Sequence, residues 1–366
     1  MTKTLDTKLA ALAHDRFGKA FILADAKDAD MALGISAPGP NPQAAADGFP
    51  SRTMTEYRSH IREVIAQGMV DIMLMSCSTS DELTIRQRLF DNSTMTPAVR
   101  ANDTTDIHLC RGAGYAGSPA LPFSSATIDL IQTGQVDGAT ADRSRGANLG
   151  LYSVTFNNLP DYDLQTMQAY KTFRLEAQAR GFRHFLEVFD PNVPPAVHRI
   201  PPELIGGFIN DHICRLLAGV PRAARPVFLK IVYHGPRYME ELCRYDESVI
   251  VGVLGGSAGT TYDAFKLLFD AKKYGARAAL FGRKINHAEH QLSFVEMLRT
   301  VADGDITPEE AVRAYHGKLQ GLGIAPHRRL HQDLQATSGI SRYGAGTAGS
   351  PAPTFRRTAG NIDDSD

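Results

Sequence analysis

Short apolar runs alternate along this chain with longer segments of helical periodicity, which is the pattern of βα units around a parallel sheet. The eight runs with strand character are Ala20–Asp25, Val70–Ser76, Pro97–Asn102, Val136–Ala141, Phe182–Phe189, Val227–Tyr233, Val249–Gly255 and Ala278–Gly282. A closed barrel needs eight strands, so the pattern predicts an α/β fold, a single-domain TIM (β/α)8 barrel. An open doubly wound sheet fits less well, because no GxGxxG follows the first strand.

Helix signals and the character of the chain end add to this scheme. Asp161–Gln178 places apolar side chains on one helical face. Thr307, followed by proline and then by Glu310 three residues later, predicts a capped helix start. Toward the C-terminus the composition turns to Gly, Ser, Thr, Ala and Pro, which predicts a flexible tail. We therefore expect a barrel with an N-terminal helix over residues 1–335 and a tail over 336–366.

Composition and charge narrow the classes of partner. The chain has 366 residues, 43% hydrophobic and 22% charged, as in an ordinary globular enzyme. A formal net charge of −1 leaves no basic surplus for nucleic acid or a membrane surface. The four cysteines are widely spaced and form no CxxC pair, which favours reduced thiols. No apolar run is long enough for a signal peptide or a membrane span, so we expect a cytoplasmic protein without nucleic-acid or membrane partners.

Lys230 lies near the end of an apolar strand, in the run PVFLKIVYHG. Reactive residues of a parallel barrel sit at the carboxyl ends of the strands. An amine that is desolvated among apolar neighbours loses its proton more easily and can attack a carbonyl carbon. Lys230 is therefore a candidate nucleophile that forms a Schiff base. The alternative is a strand-end lysine that simply pairs with a carboxylate.

Glycines end the two strands that follow. Gly255, Gly256 and Ser257 come directly after VIVGVL, and Gly282 and Arg283 come directly after AALF. Residues without side chains let backbone amides approach an anion, and a guanidinium adds charge-assisted hydrogen bonds. The last two strands of such barrels often hold a phosphate. These residues are therefore predicted to bind the phosphate of a small-molecule substrate.

Proton transfer needs a partner for the lysine. Glu187, in HFLEVFD, lies on the strand before that of Lys230, so its carboxylate is the first candidate. Asp25 closes the first strand and is a second carboxylate expected at the same mouth, with Lys27 and Asp28 just beyond it. A turn or N-cap role for Asp25 stays open.

Two of these patterns also have purely structural explanations. Glu187 could be a buried carboxylate that pairs with Arg183 or Arg100. His287 and His290 lie three residues apart, a spacing that can hold a metal on a helix. No third ligand is evident in the sequence, so we predict no metal site and a solvated helix start at these histidines.

Taken together, the strand ends resemble a known family. Lys230 in FLKIVYHG, followed by VLGGS and ALFGRKI, is similar to the class I (Schiff-base) aldolases of the bacterial and archaeal fructose-bisphosphate type. The same residues are similar to the related tagatose-bisphosphate and deoxyribose-phosphate aldolases. The opening GKAFILAD resembles the first strand of those enzymes, where an aspartate contributes to the active site. The resemblance covers about residues 15–320 and is most specific from Lys230 to Arg283.

The resemblance implies a TIM barrel, a Schiff-base mechanism without metal or cofactor, and a homo-oligomer. It implies that Lys230 is the nucleophile, that the glycine strand ends and Arg283 bind phosphate, and that Asp25 is an acid/base or orienting residue. Asp28 competes with Asp25 for that role. The implied substrate is a phosphorylated sugar, a ketose of the fructose- or tagatose-bisphosphate kind, which the enzyme cleaves reversibly.

The chain departs from the family at two strand ends. Glu187 stands where one branch carries a tyrosine, and it resembles the glutamate of other branches. The expected fourth strand and its loop offer Thr140, Asp142 and Arg143 where some members carry a lysine. Two alternatives therefore stay open. One is a lysine-dependent transferase, a thiolase-like enzyme or a sulfo-sugar aldolase on the same barrel, and the other is a barrel that binds a ligand without catalysis.

Overall fold

The strands of the computed structural model close into a parallel barrel, and the structure describes residues 1–136, 142–256 and 259–337. The barrel strands are β1 (Ile22–Lys27), β2 (Ile72–Met75), β3 (Thr96–Arg100), β4 (Leu149–Thr155), β5 (Arg183–Phe189), β6 (Leu229–Ile231), β7 (Val251–Leu254) and β8 (Ala278–Phe281). Each strand pairs in parallel with its neighbours in chain order, and β8 pairs with β1. Asp103–Thr104 and Pro122–Phe123 form a separate antiparallel pair. The predicted (β/α)8 barrel is confirmed.

The fourth strand differs from the sequence prediction. Val136–Ala141 lies outside the described residues except for its first position, and Leu149–Thr155 occupies the fourth place in the barrel. This strand pairs with β3 through Gly150 and Leu151, and with β5 along its whole length. A Cβ added at Gly150 would lie 2.5 Å from the Phe182 ring. The glycine therefore lets that ring pack closely against β4.

Helices fill the connections between the strands. They are α1 (Thr4–His14), α2 (Ala44–Asp47), α3 (Met54–Gln67), α4 (Cys77–Ser80), α5 (Ile128–Thr133), α6 (Pro160–Ala179), α7 (Pro195–His198), α8 (Ile205–Ala218), α9 (Pro236–Tyr245), α10 (Thr261–Lys273), α11 (Arg283–Asn286), α12 (Gln291–Asp303), α13 (Pro308–Gly321) and α14 (Leu330–Asp333). A π-helical segment (Asp81–Arg86) continues α4, and 3-10 turns lie at Ala29–Met31, Gly34–Ser36, Thr105–Ile107, Tyr115–Gly117, Pro202–Leu204 and Arg222–Ala224. Within the described part of the chain, no helix is both long and apolar enough to cross a bilayer.

Two helix predictions are confirmed. The helix expected over Asp161–Gln178 is α6, which extends it by one residue at each end. The capping box at the start of α13 forms as predicted: Thr307 Oγ1 accepts a hydrogen bond from the Glu310 amide, and the Glu310 carboxylate accepts one from the Thr307 amide. Such a cap satisfies two helix-end amides that would otherwise lack partners.

The buried apolar side chains form an inner and an outer layer, separated by the strands. Successive side chains of a strand point to opposite faces. Ile22 on β1 therefore fills the barrel interior, whereas Leu23 packs outward against the helices. Helix α1 closes the N-terminal end of the barrel, because Leu5 and Leu12 are buried in the interior cluster. The carboxyl end of the barrel is left for the pocket described below.

The last described residues return to the N-terminus of α10. Asp333 Oδ1 accepts a hydrogen bond from the Thr261 amide at 2.8 Å, and Thr337 Oγ1 donates to Asp263 Oδ2 at 2.7 Å. The chain is therefore still held by contacts two residues past the expected barrel boundary at 335. From residue 338 onward, the expected tail lies outside the described residues.

Candidate active site

Alternation along β5 and β6 turns Glu187 and Lys230 into the barrel. One layer below them, the stacked rings of Phe185 and Phe228 fill the interior, with their centroids 4.6 Å apart. Glu187 and Lys230 are direct partners in the parallel register. Lys230 Nζ lies 2.5 Å from Glu187 Oε1, and both residues are buried. The structure thus brings together the nucleophile and the proton carrier predicted from the sequence.

Arg100, at the end of β3, holds the other oxygen of Glu187. Its Nη2 donates to Glu187 Oε2 at 3.2 Å, and its Nη1 donates to Ser153 Oγ at 2.9 Å. The Ser153 hydroxyl in turn donates to Glu187 Oε2 at 2.6 Å. Burial opposes the charge of Arg100, but the carboxylates of Asp28 and Glu187 outweigh it and raise the pKa of the guanidinium. Arg100 therefore stays charged and fixes the orientation of Glu187.

The suggested pairing of Glu187 with Arg100 is thus present, and it coexists with the pairing to Lys230. Arg183 is not involved, because its Nη1 contacts Asp6 Oδ1 at 2.6 Å near the other end of the barrel. Ser153 comes from the true fourth strand, which carries this hydroxyl in register with Glu187 and has no lysine.

Asp28 follows β1 directly and lines the same pocket as Lys230. Arg100 Nε donates to its Oδ2 at 2.6 Å. Burial alone would raise the pKa of Asp28, but the charges of Arg100 and Lys230 overcome this effect and lower it. Asp28 is therefore an ionised carboxylate at the pocket. Of the two candidates for the first-strand carboxylate, Asp28 is the one that lines the pocket.

The expectation that Asp25 faces the barrel mouth is wrong. Asp25 shares its strand face with Leu23, which packs outward, whereas Ala26 and Asp28 line the pocket. Lys27 points outward with Asp25, and its Nζ lies 3.5 Å from Asp25 Oδ2. The physical reason is the two-residue repeat of a strand: Asp28 is three positions from Asp25, so it falls on the opposite face.

This outward pair is fully buried under the helices. Lys27 Nζ donates to Gln291 Oε1 at 2.7 Å and to Asn286 Oδ1 at 3.2 Å. The two carboxylate oxygens of Asp25 accept no hydrogen bond from a described residue. Burial raises the pKa of Asp25 to about 6, although the charge of Lys27 acts against it. Lys27 thereby joins β1 to α11 and α12, and neither Lys27 nor Asp25 lines the pocket.

The predicted glycine cradle lies at the ends of β7 and β8. Gly255, Gly256, Gly282 and Arg283 all line the pocket that contains Lys230, while Ser257 lies outside the described residues. A Cβ on Gly255 would lie 2.2 Å from the Phe281 ring. A Cβ on Gly282 would lie 2.5 Å from the backbone oxygen of Ala26. Both strand ends therefore pack so closely that only glycine fits without a shift.

Arg283 is a charged side chain whose neighbours, among the described residues, offer it no hydrogen bond or ion pair. Among the described residues, nothing accepts a hydrogen bond from its guanidinium, and no carboxylate lies within ion-pair distance of it. Burial lowers its pKa, and the charges of Glu187 and Asp28 act against that shift. A guanidinium with no partner among the described residues, beside glycines that leave room at the strand ends, is suited to bind an anion such as phosphate.

The backbone amides of α10 contribute less to an anion site than the sequence suggested. The Thr261 amide donates to Asp333, and the Asp263 amide donates to Thr260 Oγ1. Lys284 Nζ donates to the backbone oxygen of Gly259 at 2.7 Å, so this loop is braced from α11. The cradle therefore consists of the strand-end glycines and Arg283 more than of the helix terminus.

Carboxylates on the far side of the pocket were missed in the sequence. Asp190 follows β5, and its Oδ1 lies 2.8 Å from His234 Nε2. Asp106, in the β3–β4 connection, accepts a hydrogen bond from Thr155 Oγ1 at 2.9 Å. Asp190 could have been predicted as a pocket residue from its position directly after a strand. Asp106 lies in a long irregular connection, and no sequence pattern marks it as a pocket residue.

The histidines considered for a metal have other roles. His290 is the N-cap of α12 and accepts a hydrogen bond from the Ser293 amide at 3.3 Å. His287 is exposed at the end of α11. Across the ranges that the structure describes, no three His, Cys, Asp or Glu side chains form a group that could hold a metal ion.

The whole pocket has a volume of about 200 Å³. Apolar side chains such as Phe189, Val232 and Leu254 line it between the charged groups. Such a lining limits water and strengthens electrostatic interactions inside the pocket. The arrangement can activate an amine, move a proton beside it and hold an anion nearby.

No protein-family model and no curated protein matches the chain, but solved structures do. An archaeal fructose-1,6-bisphosphate aldolase, with its catalytic lysine covalently bound to the carbinolamine intermediate of the substrate, has a TM-score of 0.56 at 14% identity and covers 81% of this chain and 100% of its own. The fructose-bisphosphate aldolase from Slackia heliotrinireducens has a TM-score of 0.58 at 13% identity, and the match covers 85% of this chain and 91% of the aldolase. A Schiff-base-forming fructose-1,6-bisphosphate aldolase has a TM-score of 0.56 at 13% identity, and the match covers 81% of this chain and 99% of the aldolase. The resemblance to class I Schiff-base aldolases that the strand ends predicted is thus found again in the fold.

Proposed function

We propose that this protein is a class I aldolase that reversibly cleaves a phosphorylated ketose through an iminium on Lys230. The observation that carries the proposal is the contact of Lys230 Nζ with Glu187 Oε1 at 2.5 Å, in a pocket that also holds the glycine cradle. The fold shared with Schiff-base aldolases supports the same reaction class. The sugar is a ketose related to fructose or tagatose that carries a phosphate on the carbon next to its keto carbon.

Binding of the phosphate orients the keto carbon. Gly255, Gly256 and Gly282 leave room for an anion next to the backbone, and Arg283 supplies the opposite charge. Ser257 is assigned to the same subsite from its position in the sequence. The cradle lies on β7 and β8, next to β6 with Lys230. A substrate held there therefore presents the carbon beside its phosphate-bearing carbon to the amine.

Iminium formation starts with a proton transfer. The Lys230 ammonium gives a proton to Glu187, and the free amine attacks the keto carbon to form a carbinolamine. Glu187 then returns the proton to the departing hydroxyl, which leaves as water and gives the iminium. Arg100 and Ser153 keep the carboxylate in place during both transfers.

Cleavage then uses the iminium as the electron sink. A carboxylate removes the proton of the hydroxyl two carbons from the iminium carbon, the carbon–carbon bond breaks, and its electron pair forms an enamine on Lys230. The aldehyde leaves, the enamine is protonated on carbon, and water releases the ketone phosphate and the free amine. We assign the carboxylate role to Glu187 and Asp28 together. Asp28 is ionised and held by Arg100, whereas the alternative Asp25 lies behind the strand.

Steady-state assays test the proposal. Fructose 1,6-bisphosphate, tagatose 1,6-bisphosphate and a small panel of other phosphoketoses and sulfonated sugars are offered to the wild type and to Lys230→Met, each with and without a chelator. We expect cleavage by the wild type that resists the chelator and is lost in Lys230→Met. Activity that the chelator abolishes and the variant retains would refute the proposal. Ligand binding without any turnover would support a binding module instead.

A further inference from the structure

The closed strand order divides the pocket into two opposite walls. In a barrel of eight strands, β7 and β8 face β3 and β4 across the interior. The first wall carries the cradle of Gly255, Gly282 and Arg283. The second wall carries Asp106, which follows β3 and is bonded to Thr155 at the end of β4. A ketose whose phosphate occupies the cradle must extend its other end toward this second wall.

The cations of the pocket can hold a single phosphate. The described residues that line the pocket include three cations, Arg100, Lys230 and Arg283. Arg100 is already paired with two carboxylates, because its Nε donates to Asp28 and its Nη2 to Glu187, while Nη1 donates to Ser153. Lys230 reacts with the carbonyl carbon in the proposed mechanism. This leaves Arg283, on the cradle wall, for the neutralisation of a phosphate.

The far wall is acidic instead. Asp190 follows β5, on the side of Lys230 away from the cradle, and Asp106 lies beyond it. Both residues are more than nine-tenths buried. Asp190 Oδ2 and Asp106 Oδ1 each accept no hydrogen bond from a described residue. Unpaired carboxylate oxygens are acceptors for hydroxyl groups, and they repel a second phosphate.

Protonation of Asp106 would remove its repulsion of a phosphate but not its capacity to bind a hydroxyl. Burial raises the pKa of Asp106, and a protonated carboxyl can still both donate to and accept from a hydroxyl. His234 offers no free positive charge either, because its Nε2 is hydrogen-bonded to Asp190 Oδ1. Among the described residues that line the pocket, the cation on the side of β3 to β5 is Arg100, and carboxylates already pair with it.

Building on the proposed aldolase function, we propose that the substrate is a ketose 1-phosphate with a single phosphate. Beyond the cleaved bond it carries an uncharged, hydroxylated chain. Asp106 and Asp190 select this end. In the direction of condensation, the enzyme joins dihydroxyacetone phosphate to an unphosphorylated hydroxyaldehyde. A bisphosphorylated ketose is a poor substrate.

A pair of acceptors that differ only in one phosphate tests the assignment. Condensation of dihydroxyacetone phosphate is measured with racemic glyceraldehyde and with racemic glyceraldehyde 3-phosphate, and the racemates remove any dependence on one stereoisomer. We expect kcat/KM to favour glyceraldehyde by at least about tenfold, since like charges in a desolvated site are strongly unfavourable. The preference should shrink in Asp190→Asn and Asp106→Asn, because glyceraldehyde 3-phosphate becomes a better acceptor.

Borohydride trapping of dihydroxyacetone phosphate on Lys230 separates this inference from the function on which it rests. A trapped Lys230 with equal or better use of glyceraldehyde 3-phosphate would overturn the single-phosphate assignment and leave the aldolase intact. A trapped Lys230 that condenses with neither acceptor would overturn it as well. An untrapped Lys230 would refute the aldolase proposal itself. An unchanged preference in both aspartate variants, with trapping retained, would show that these residues do not select the aldehyde.

Discussion

Gly282 offers the sharpest structural perturbation of the cradle. It ends β8 and stands directly before Arg283. In Gly282→Ala, the new Cβ would lie 2.5 Å from the backbone oxygen of Ala26 and 3.1 Å from its Cβ. Ala26 belongs to β1 and pairs with Leu74 on β2. The neighbouring backbone therefore cannot yield easily, and the end of β8 must move instead.

Two effects of different size follow from that movement. Overpacking of this kind costs about 1–3 kcal/mol of unfolding free energy. The displaced Arg283 would lose a charge-assisted hydrogen bond to the substrate phosphate, worth about 1.5–3 kcal/mol. Since 1.4 kcal/mol corresponds to a factor of ten, we expect KM to rise by about 10- to 100-fold. The chemistry at Lys230 should change less.

Denaturant unfolding and steady-state kinetics measure the two effects separately. Gly317→Ala is the matched control, because Gly317 lies inside α13 and an added Cβ there meets nothing within 4 Å. This control should gain about 0.5–1 kcal/mol in stability and keep its KM. If Gly282→Ala were as stable as the wild type and bound substrate equally well, the close approach of β8 to β1 would have no functional meaning.

Three further predictions concern the proton carrier, the buried pair and the α10 cap. Glu187→Gln should lower kcat by about 10²- to 10⁴-fold with the inhibition constant of inorganic phosphate unchanged; a wild-type kcat would contradict its role. Asp25, whose pKa is raised from 3.8 to about 6, stabilises the fold below pH 4 and loses that contribution as the pH rises through 6. Asp25→Asn should therefore gain about 2 kcal/mol of stability relative to the wild type between pH 4.5 and pH 7. Chemical unfolding at both pH values measures this gain, and an equal stability difference from the wild type at the two pH values would contradict it. Asp333→Ala should cost about 1 kcal/mol and speed hydrogen exchange at the Thr261 amide. Unchanged exchange would mean that this contact does not cap α10.

The closed barrel and most of its strands could be predicted because each strand is a short apolar run between polar segments. The fourth strand could not, since Leu149–Thr155 and Val136–Ala141 have similar character in the sequence, and parallel pairing on both sides selects the first of them. Strand pairing is a property of the whole sheet, and no local pattern reveals it.

The candidate site was predictable where strand ends carry it. Lys230, Glu187 and the glycine cradle converge because the carboxyl ends of parallel strands share one edge of the barrel. The choice between Asp25 and Asp28 depended on which face of β1 points into the barrel. The sequence does not show this, because both faces of β1 carry apolar side chains. The structure does, since Ala24 packs in the inner layer and Leu23 in the outer layer. A long-range hydrogen bond such as that from Arg100 to Asp28 joins distant strands and left no mark on the local sequence.

Covalent trapping tests the central claim most directly. The wild type is incubated with dihydroxyacetone phosphate, reduced with borohydride and digested, and the masses of the lysine-containing peptides are compared with those of Lys230→Met treated in the same way. The account predicts that the peptide with Lys230 gains the mass of the reduced ligand and that the variant gains none. An unmodified Lys230 in a preparation that still cleaves a phosphoketose, or a label on a different lysine, would contradict it.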